Sequence, residues 1–329
     1  MNLIASRCPF TAIEILLFAS CLLVVGNFQV AAQTAMTNEG RKIEVTLTPV
    51  KEAIMLDEPT FLLFEVKNYS SQDLCVWEGG DYRNRLGRPN SFEVTVTKDD
   101  GKAVPQPEAF GSDGLGVNCE RIPANGSHVL KLFLPHWATF ETTGSYTVNV
   151  KKRLAIQIYS IWEQHRSMAS ASNIQANVRT NIKVVAKDEN KLGEIINSLG
   201  NAMLDLNNPE AANSAQALAY INDKRTIRYF AQALEKFNSS RFVDLGERDE
   251  YRINLHAIYA LSKFNDDSAL GALEAVMNSP SEETRENIAI VLGRMMHPKA
   301  RLLLLKMLKD ENEGVRKAAE ESLSGRGQE

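Results

Sequence analysis

The side chains able to do chemistry are few, and their spacing assembles no known motif. The five histidines are His128, His136, His165, His256 and His297. No two stand at the i, i+4 spacing that would put both imidazoles on one helix face for zinc, and no His-Glu-x-x-His occurs. A Gly-x-Ser-x-Gly elbow, which would raise a serine nucleophile, is absent, and so is Cys-x-x-Cys. The acidic run Asp310-Glu311-Asn312-Glu313-Gly314 is read as a turn whose carboxylates favour the N-terminus of the next helix, rather than as a calcium loop. The pattern therefore predicts a protein with no catalytic residue, no cofactor and no metal.

Cysteine and tryptophan leave more specific expectations. Cys8 and Cys21 fall in the N-terminal apolar segment, so Cys75 and Cys119 remain for the folded chain. They are read either as a disulfide or as two separate buried thiols. Trp77, Trp137 and Trp162 are candidate stacking platforms for a carbohydrate. The segments Tyr82 to Asn90 and Phe110 to Gly116 are long enough to enter a protease cleft, which makes an inhibitor a second alternative. The formal net charge of -4 argues against a sequence-independent nucleic-acid binder. The basic cluster Lys151-Lys152-Arg153 is expected at a solvated strand end or turn. The sequons at Asn68, Asn125 and Asn238 are read as chance triplets.

The chain has 329 residues, too many for one ordinary core, and its texture changes along its length. Residues 1–32 read as a signal peptide: Arg7, the apolar run Ile15 to Gly26, then Val30-Ala31-Ala32 with cleavage after Ala32. The alternative is an uncleaved N-terminal membrane anchor. A periplasmic or secreted location is implied by the first reading. Residues 33–40 are expected to be a linker. From 41 to 187 the apolar period is two: Ile43, Val45 and Leu47, then Phe92, Val94 and Val96, then Val129 to Leu134 and Tyr146 to Val150. Turn residues such as Asp57-Glu58-Pro59 and Asp99-Asp100-Gly101 divide these runs. Short strands between turn signals predict a β-sandwich. Leu154 to Gln175 is read as a long hairpin excursion, partly helical near Ile158 to His165.

Beyond Asp188 the apolar spacing becomes three and four. Leu192, Ile195, Ile196, Leu199 and Met203 form one helical face within residues 188–205, expected to be a single helix capping the stack beyond it. Residues 206–329 repeat: Leu261, Leu292 and Leu323 are spaced by 31, with Ala257, Ile288 and Ala319 in a second register. Each unit is a helix pair joined by short polar connectors, Asn222-Asp223-Lys224, Asn265-Asp266-Asp267 and His297-Pro298. Leu218 lies 43 before Leu261, so an insertion is expected near Asn238 to Glu250. The fold class is thus two-domain, all-β plus all-α, the second a solenoid in which each repeat buries its face on the next.

The residues carry two family resemblances. Arg121 to Ser127, an apolar strand and then Gly144-Ser145-Tyr146-Thr147-Val148 together resemble the end of bacterial immunoglobulin-like modules. Val315-Arg316-Lys317-Ala318-Ala319-Glu320-Glu321-Ser322-Leu323 is similar to the Val-Arg-x-x-Ala-x-x-x-Leu core of HEAT repeats, of the short phycobilisome-lyase-like type. Asn254 departs from it, standing where Arg285 and Arg316 stand. The resemblance implies association with a protein partner and no lyase activity. Polar positions of the second helices, Arg228, Gln232, Lys236, Glu274, Arg301 and Lys306, are the candidate contact residues. The expectation is a non-catalytic exported scaffold at the cell envelope.

Overall fold

The computed structural model describes residues 32–37, 40–77, 92–107, 119–238 and 249–325. The expected signal segment up to residue 31, both candidate inhibitor loops and nearly all of the 238–250 insertion lie outside them.

Among the described residues ten strands build the N-terminal part: β1 (Gln33–Met36), β2 (Lys42–Pro49), β3 (Ala53–Met55), β4 (Phe61–Asn68), β5 (Leu74–Trp77), β6 (Phe92–Lys98), β7 (Cys119–Ile122), β8 (Ser127–Phe133), β9 (Gly144–Ile158) and β10 (Ser172–Val185). One sheet runs β1-β2-β4-β8 and is antiparallel throughout. The other runs β3-β10-β9-β5-β7, with β6 also paired to β9, and β3 lies parallel to β10. Alternation along the strands sends Ile43, Val45, Leu62 and Phe64 of the first sheet and Val148, Val150, Val178 and Ile182 of the second into one apolar core. Asp57 and Asn125 take positive φ in turns, as does Gly101, which comes directly after Asp100.

Three sequence expectations change here. Residues 33–36, inside the expected linker, form β1, because Ala35 packs against the core while Gln33 bonds to the Gln175 carbonyl and the Asn177 amide. Lys152 lies in the middle of β9, not at a solvated end; its register points inward, where its ammonium lies 4.5 Å from the Phe92 ring centroid. The β9–β10 ladder continues past Leu154 to the Ile156–Ser172 pair, so the excursion is confined to its tip, a short helix α1 (Tyr159–His165). The Asn68 side chain is buried and donates to the carbonyls of Gln72, Ile122 and Pro123, which leaves no accessible amide for a glycan.

Eight α-helices come next among the described residues: α2 (Glu189–Leu204), α3 (Ala211–Tyr220), α4 (Ile227–Phe237), α5 (Asp249–Leu261), α6 (Asp267–Ala275), α7 (Glu282–Arg294), α8 (Pro298–Met307) and α9 (Glu313–Gly325). The polar connectors act as caps. Asp188, Asp266, Ser281 and His297 each accept a backbone N–H of the first turn they precede, and Asn312 accepts from Val315. Packing sorts the helices into two layers, α3-α5-α7-α9 and α2-α4-α6-α8. The helix at 188–205, expected as a lone cap, is thus the first member of the second layer. Gly200 lets it approach α4 so closely that a Cβ there would meet the Tyr229 ring at 2.3 Å. Leu261 and Leu292 are fully buried at equivalent positions, which accounts for their 31-residue spacing, and Leu218 fills the matching place on α3.

The β part and the helices touch along β8, the turn after it and the end of β3. Lys131 pairs with Glu210, Phe133 meets Tyr220 edge to face, and Met55 enters the helical core. His136 lies 3.4 Å from the Gln216 amide and faces α5, where His256 is held. Desolvation, then the positive charges of Arg252, His136 and Lys263, push the His256 pKa down to about 3 from 6.5. The folded chain therefore keeps this imidazole neutral where the unfolded chain takes up a proton. Stability falls as pH drops below about 6.5, with about 1 kcal/mol lost by pH 5 after allowance for partial exposure. His256→Gln is expected to flatten the urea midpoint between pH 7 and pH 5; an unchanged slope would show that another group carries it.

Candidate functional site

The second layer presents the candidate contact residues, and its neighbours determine how each is held. Arg228 leans back on α2: its guanidinium donates to the Asn197 side chain at 2.7 Å and lies 4.7 Å from the Tyr229 ring centroid. Lys236, at the end of α4, donates to the Leu204 carbonyl at 2.5 Å. Gln232 lies exposed between them. These three share one surface with α2.

Glu274 and Lys306 come together across the α6–α8 contact. Lys299 at 2.9 Å and Lys306 at 3.3 Å both reach the Glu274 carboxylate and hold its pKa below the ordinary range. Arg301 stands apart on α8, exposed and in no ion pair among the described residues. Five of the six candidates thus form two clusters, and Arg301 belongs to neither.

Sequence reasoning missed the most distinctive part of this surface. Leu302 is 59% exposed, Leu305 44% and Leu308 36%, with Met296 at 73% just before α8. The signal was available in the run Leu302 to Leu305, since four consecutive leucines in a helix cannot all face one core. Among the described residues no group of His, Cys, Asp and Glu is placed to hold a metal ion. A cavity of about 440 Å³ lies between α7 and α9, lined by Glu286, Ile290, Lys317 and Glu321 among others. No described helix is long and apolar enough to cross a membrane.

The tryptophans are poorly placed to stack a sugar. Trp137 is buried, and Trp162 is occupied by Arg166, 4.3 Å from its centroid, and by the Tyr159 ring. Trp77 is half-buried at the end of β5. Cys75 and Cys119 are joined as a disulfide linking β5 to β7.

One recurring device holds the repeats in register. Arg285 on α7 forks onto Asp310 at 2.8 and 3.0 Å and donates to the Ser279 carbonyl at 2.8 Å. Arg316 on α9 donates to the carbonyls of Asp310 and Glu311. Asn254 on α5 donates to the Phe237 carbonyl at 3.1 Å. Each side chain satisfies carbonyls at the end of the preceding second-layer helix or in the turn that follows it. The Asn254 departure is therefore a shorter donor doing the same work.

A β-rich part leading into two stacked layers of helices defines the class: a helical-repeat protein with an N-terminal β domain. Residues 240–324 match the HEAT repeats family model, so the C-terminal helices carry a HEAT repeat. No curated protein matches the chain. Among solved structures, human deoxyhypusine hydroxylase in complex with glycerol aligns at 20% identity and a TM-score of 0.34 over 41% of this chain. This chain spans 44% of that protein's chain, less than half its length. The ASH/PapD-like domain 7 of human CEP192 aligns at 10% identity and a TM-score of 0.22, over 43% of this chain and 87% of its own.

Proposed function

We propose that this protein is a non-catalytic, exported scaffold that holds a protein partner at the cell envelope through its second helical layer. The observation that carries the reading is that layer itself. HEAT repeats commonly serve association, and α8 keeps leucines in water that a purely structural helix would bury. Export rests on the N-terminal apolar segment, and the Cys75–Cys119 bond suits an oxidising compartment. β1 begins at Gln33, directly after the proposed cleavage point. The 31-residue spacing supports the short, phycobilisome-lyase-like type of HEAT repeat. For the β part, we read an immunoglobulin-like sandwich. Tyr146, near the start of β9, donates its hydroxyl to the Thr142 carbonyl at 2.6 Å, in the manner of a tyrosine corner.

The test uses the full-length mature protein as bait for an envelope fraction. Wild type should retain a stoichiometric partner, and the triple variant Arg228→Glu, Lys236→Glu, Lys306→Glu should lose it. These surface changes should cost only about 1 kcal/mol of stability in total. A partner retained by the triple variant would overturn the second layer as the contact surface. Edman sequencing of the exported chain should begin at Gln33; a start at Met1 would favour the anchor.

A further inference from the structure

Among the described residues the far side of α8 is covered by no further second-layer helix, and the repeat itself shows what would fit there. The side of α6 that faces α8 is marked by Glu274, ion-paired to Lys299 and Lys306, and by Leu270, which is fully buried. Advancing 31 residues converts Leu270 to Arg301, Glu274 to Leu305 and Met277 to Leu308. This is the same side of α8, and among the described residues no second-layer helix lies beyond it. Leu305 and Leu308 are consequently exposed, and Leu302 stands beside them. The first layer agrees: Leu323 on α9 is only partly buried, whereas Leu261 and Leu292 are fully so.

We infer that the α8–α9 end is a docking site for an acidic amphipathic helix of a protein partner, which adds to the second layer as the next helix in the stack. The inference rests on the scaffold reading above and names the chemistry of the partner. Its geometry comes from the preceding repeat, where α8 fits the same position using Ala300, Leu303, Leu304 and Met307. That is a helix with apolar residues at i, i+3, i+4 and i+7. Its charge comes from the edge it must meet. From Pro298 to Lys309 the chain carries Lys299, Arg301, Lys306 and Lys309 and no carboxylate. Glu274 engages two of these cations, while Arg301 and Lys309 have no acidic partner among the described residues. A second copy docked edge to edge would set Arg301 and Lys309 against their own equivalents, so like charge opposes that occupant.

The experiment uses the full chain and two labelled helical peptides with leucines at i, i+3, i+4 and i+7. One carries glutamates at the remaining positions and the other lysines. Fluorescence anisotropy should show the glutamate peptide binding at least roughly tenfold tighter than the lysine peptide, and weakening as salt rises. Leu305→Glu combined with Arg301→Glu should reduce that affinity by roughly tenfold or more with thermal unfolding unchanged. Leu302→Ser, at the most exposed of the three leucines, is the second variant should the first perturb the fold. Equal affinity for both peptides, or no loss in either variant, overturns the inference. Self-association that Leu305→Glu abolishes overturns it in favour of a second copy. An envelope partner lost by the triple charge variant yet kept by Leu305→Glu/Arg301→Glu sinks this site and leaves the scaffold reading standing. A partner kept by all variants sinks that reading as well.

Discussion

Replacing Arg285 with alanine should lower the stability of the helical part by about 3 kcal/mol. The guanidinium is 8% exposed and its partner Asp310 12%, so neither charge can turn to water when the other is removed. The alanine variant leaves the Asp310 carboxylate largely buried in the α8–α9 turn without its cation and leaves the Ser279 carbonyl without its donor. Arg285→Lys should recover less than half of the loss, because an ammonium cannot make both arms of the fork. Asn254→Ala, which removes a neutral hydrogen bond at the equivalent position, should cost only about 1 kcal/mol. Burial alone would raise the Asp310 pKa. The hydrogen bonds from Arg285 and the Asn312 amide outweigh it and hold the carboxyl below 3.8. The pair's contribution is therefore complete at neutral pH and is lost as pH falls through that lowered value. Urea midpoints for the three variants check the ranking. Equal midpoints for wild type and Arg285→Ala would show that the pair does not hold the repeats together.

The double change Cys75→Ser, Cys119→Ser should cost about 4 kcal/mol, the chain-entropy value for closing a loop with a sequence separation of 44 residues. The bond joins β5 to β7 at one edge of the six-stranded sheet, where β5 is four residues long and pairs with β7 on one side and with the end of β9, Ala155 to Ile158, on the other. Without the bond, those short ladders carry the sheet edge alone. Thermal unfolding with and without reductant should show the loss confined to the β transition, with the helical transition unmoved. Non-reducing peptide mapping should recover Cys75 and Cys119 on one linked fragment. Two separate alkylated peptides from unreduced protein would remove the basis for this prediction.

Much of the architecture was legible because its signals are local. Ile43, Val45 and Leu47 alternate whatever they pack against, and Leu261, Leu292 and Leu323 recur at 31 because every repeat must bury the same position. The capping connectors were readable for the same reason, since Asp266 or Ser281 needs only the amides next to it. Other features depend on the surface across a contact. Lys152 looked solvated within its basic triplet, but strand register turned it under the Phe92 ring. Gln33 to Met36 looked like a linker until β2 and β10 offered it partners.

The candidate surface divides along the same line. The sequence alone determined that the second helices carry Arg228, Gln232, Lys236, Glu274, Arg301 and Lys306 on polar positions, because helical period is set by neighbouring residues in the chain. Only the tertiary structure decided their states. α2 takes up Arg228 and Lys236, Glu274 spans the gap to Lys299 and Lys306, and Arg301 is left beside Leu305. The difference between Leu270, buried, and its equivalent Arg301, exposed, is not written in either helix. It arises because α8 covers one and no described helix covers the other, and burial belongs to pairs of surfaces rather than to a single stretch of chain.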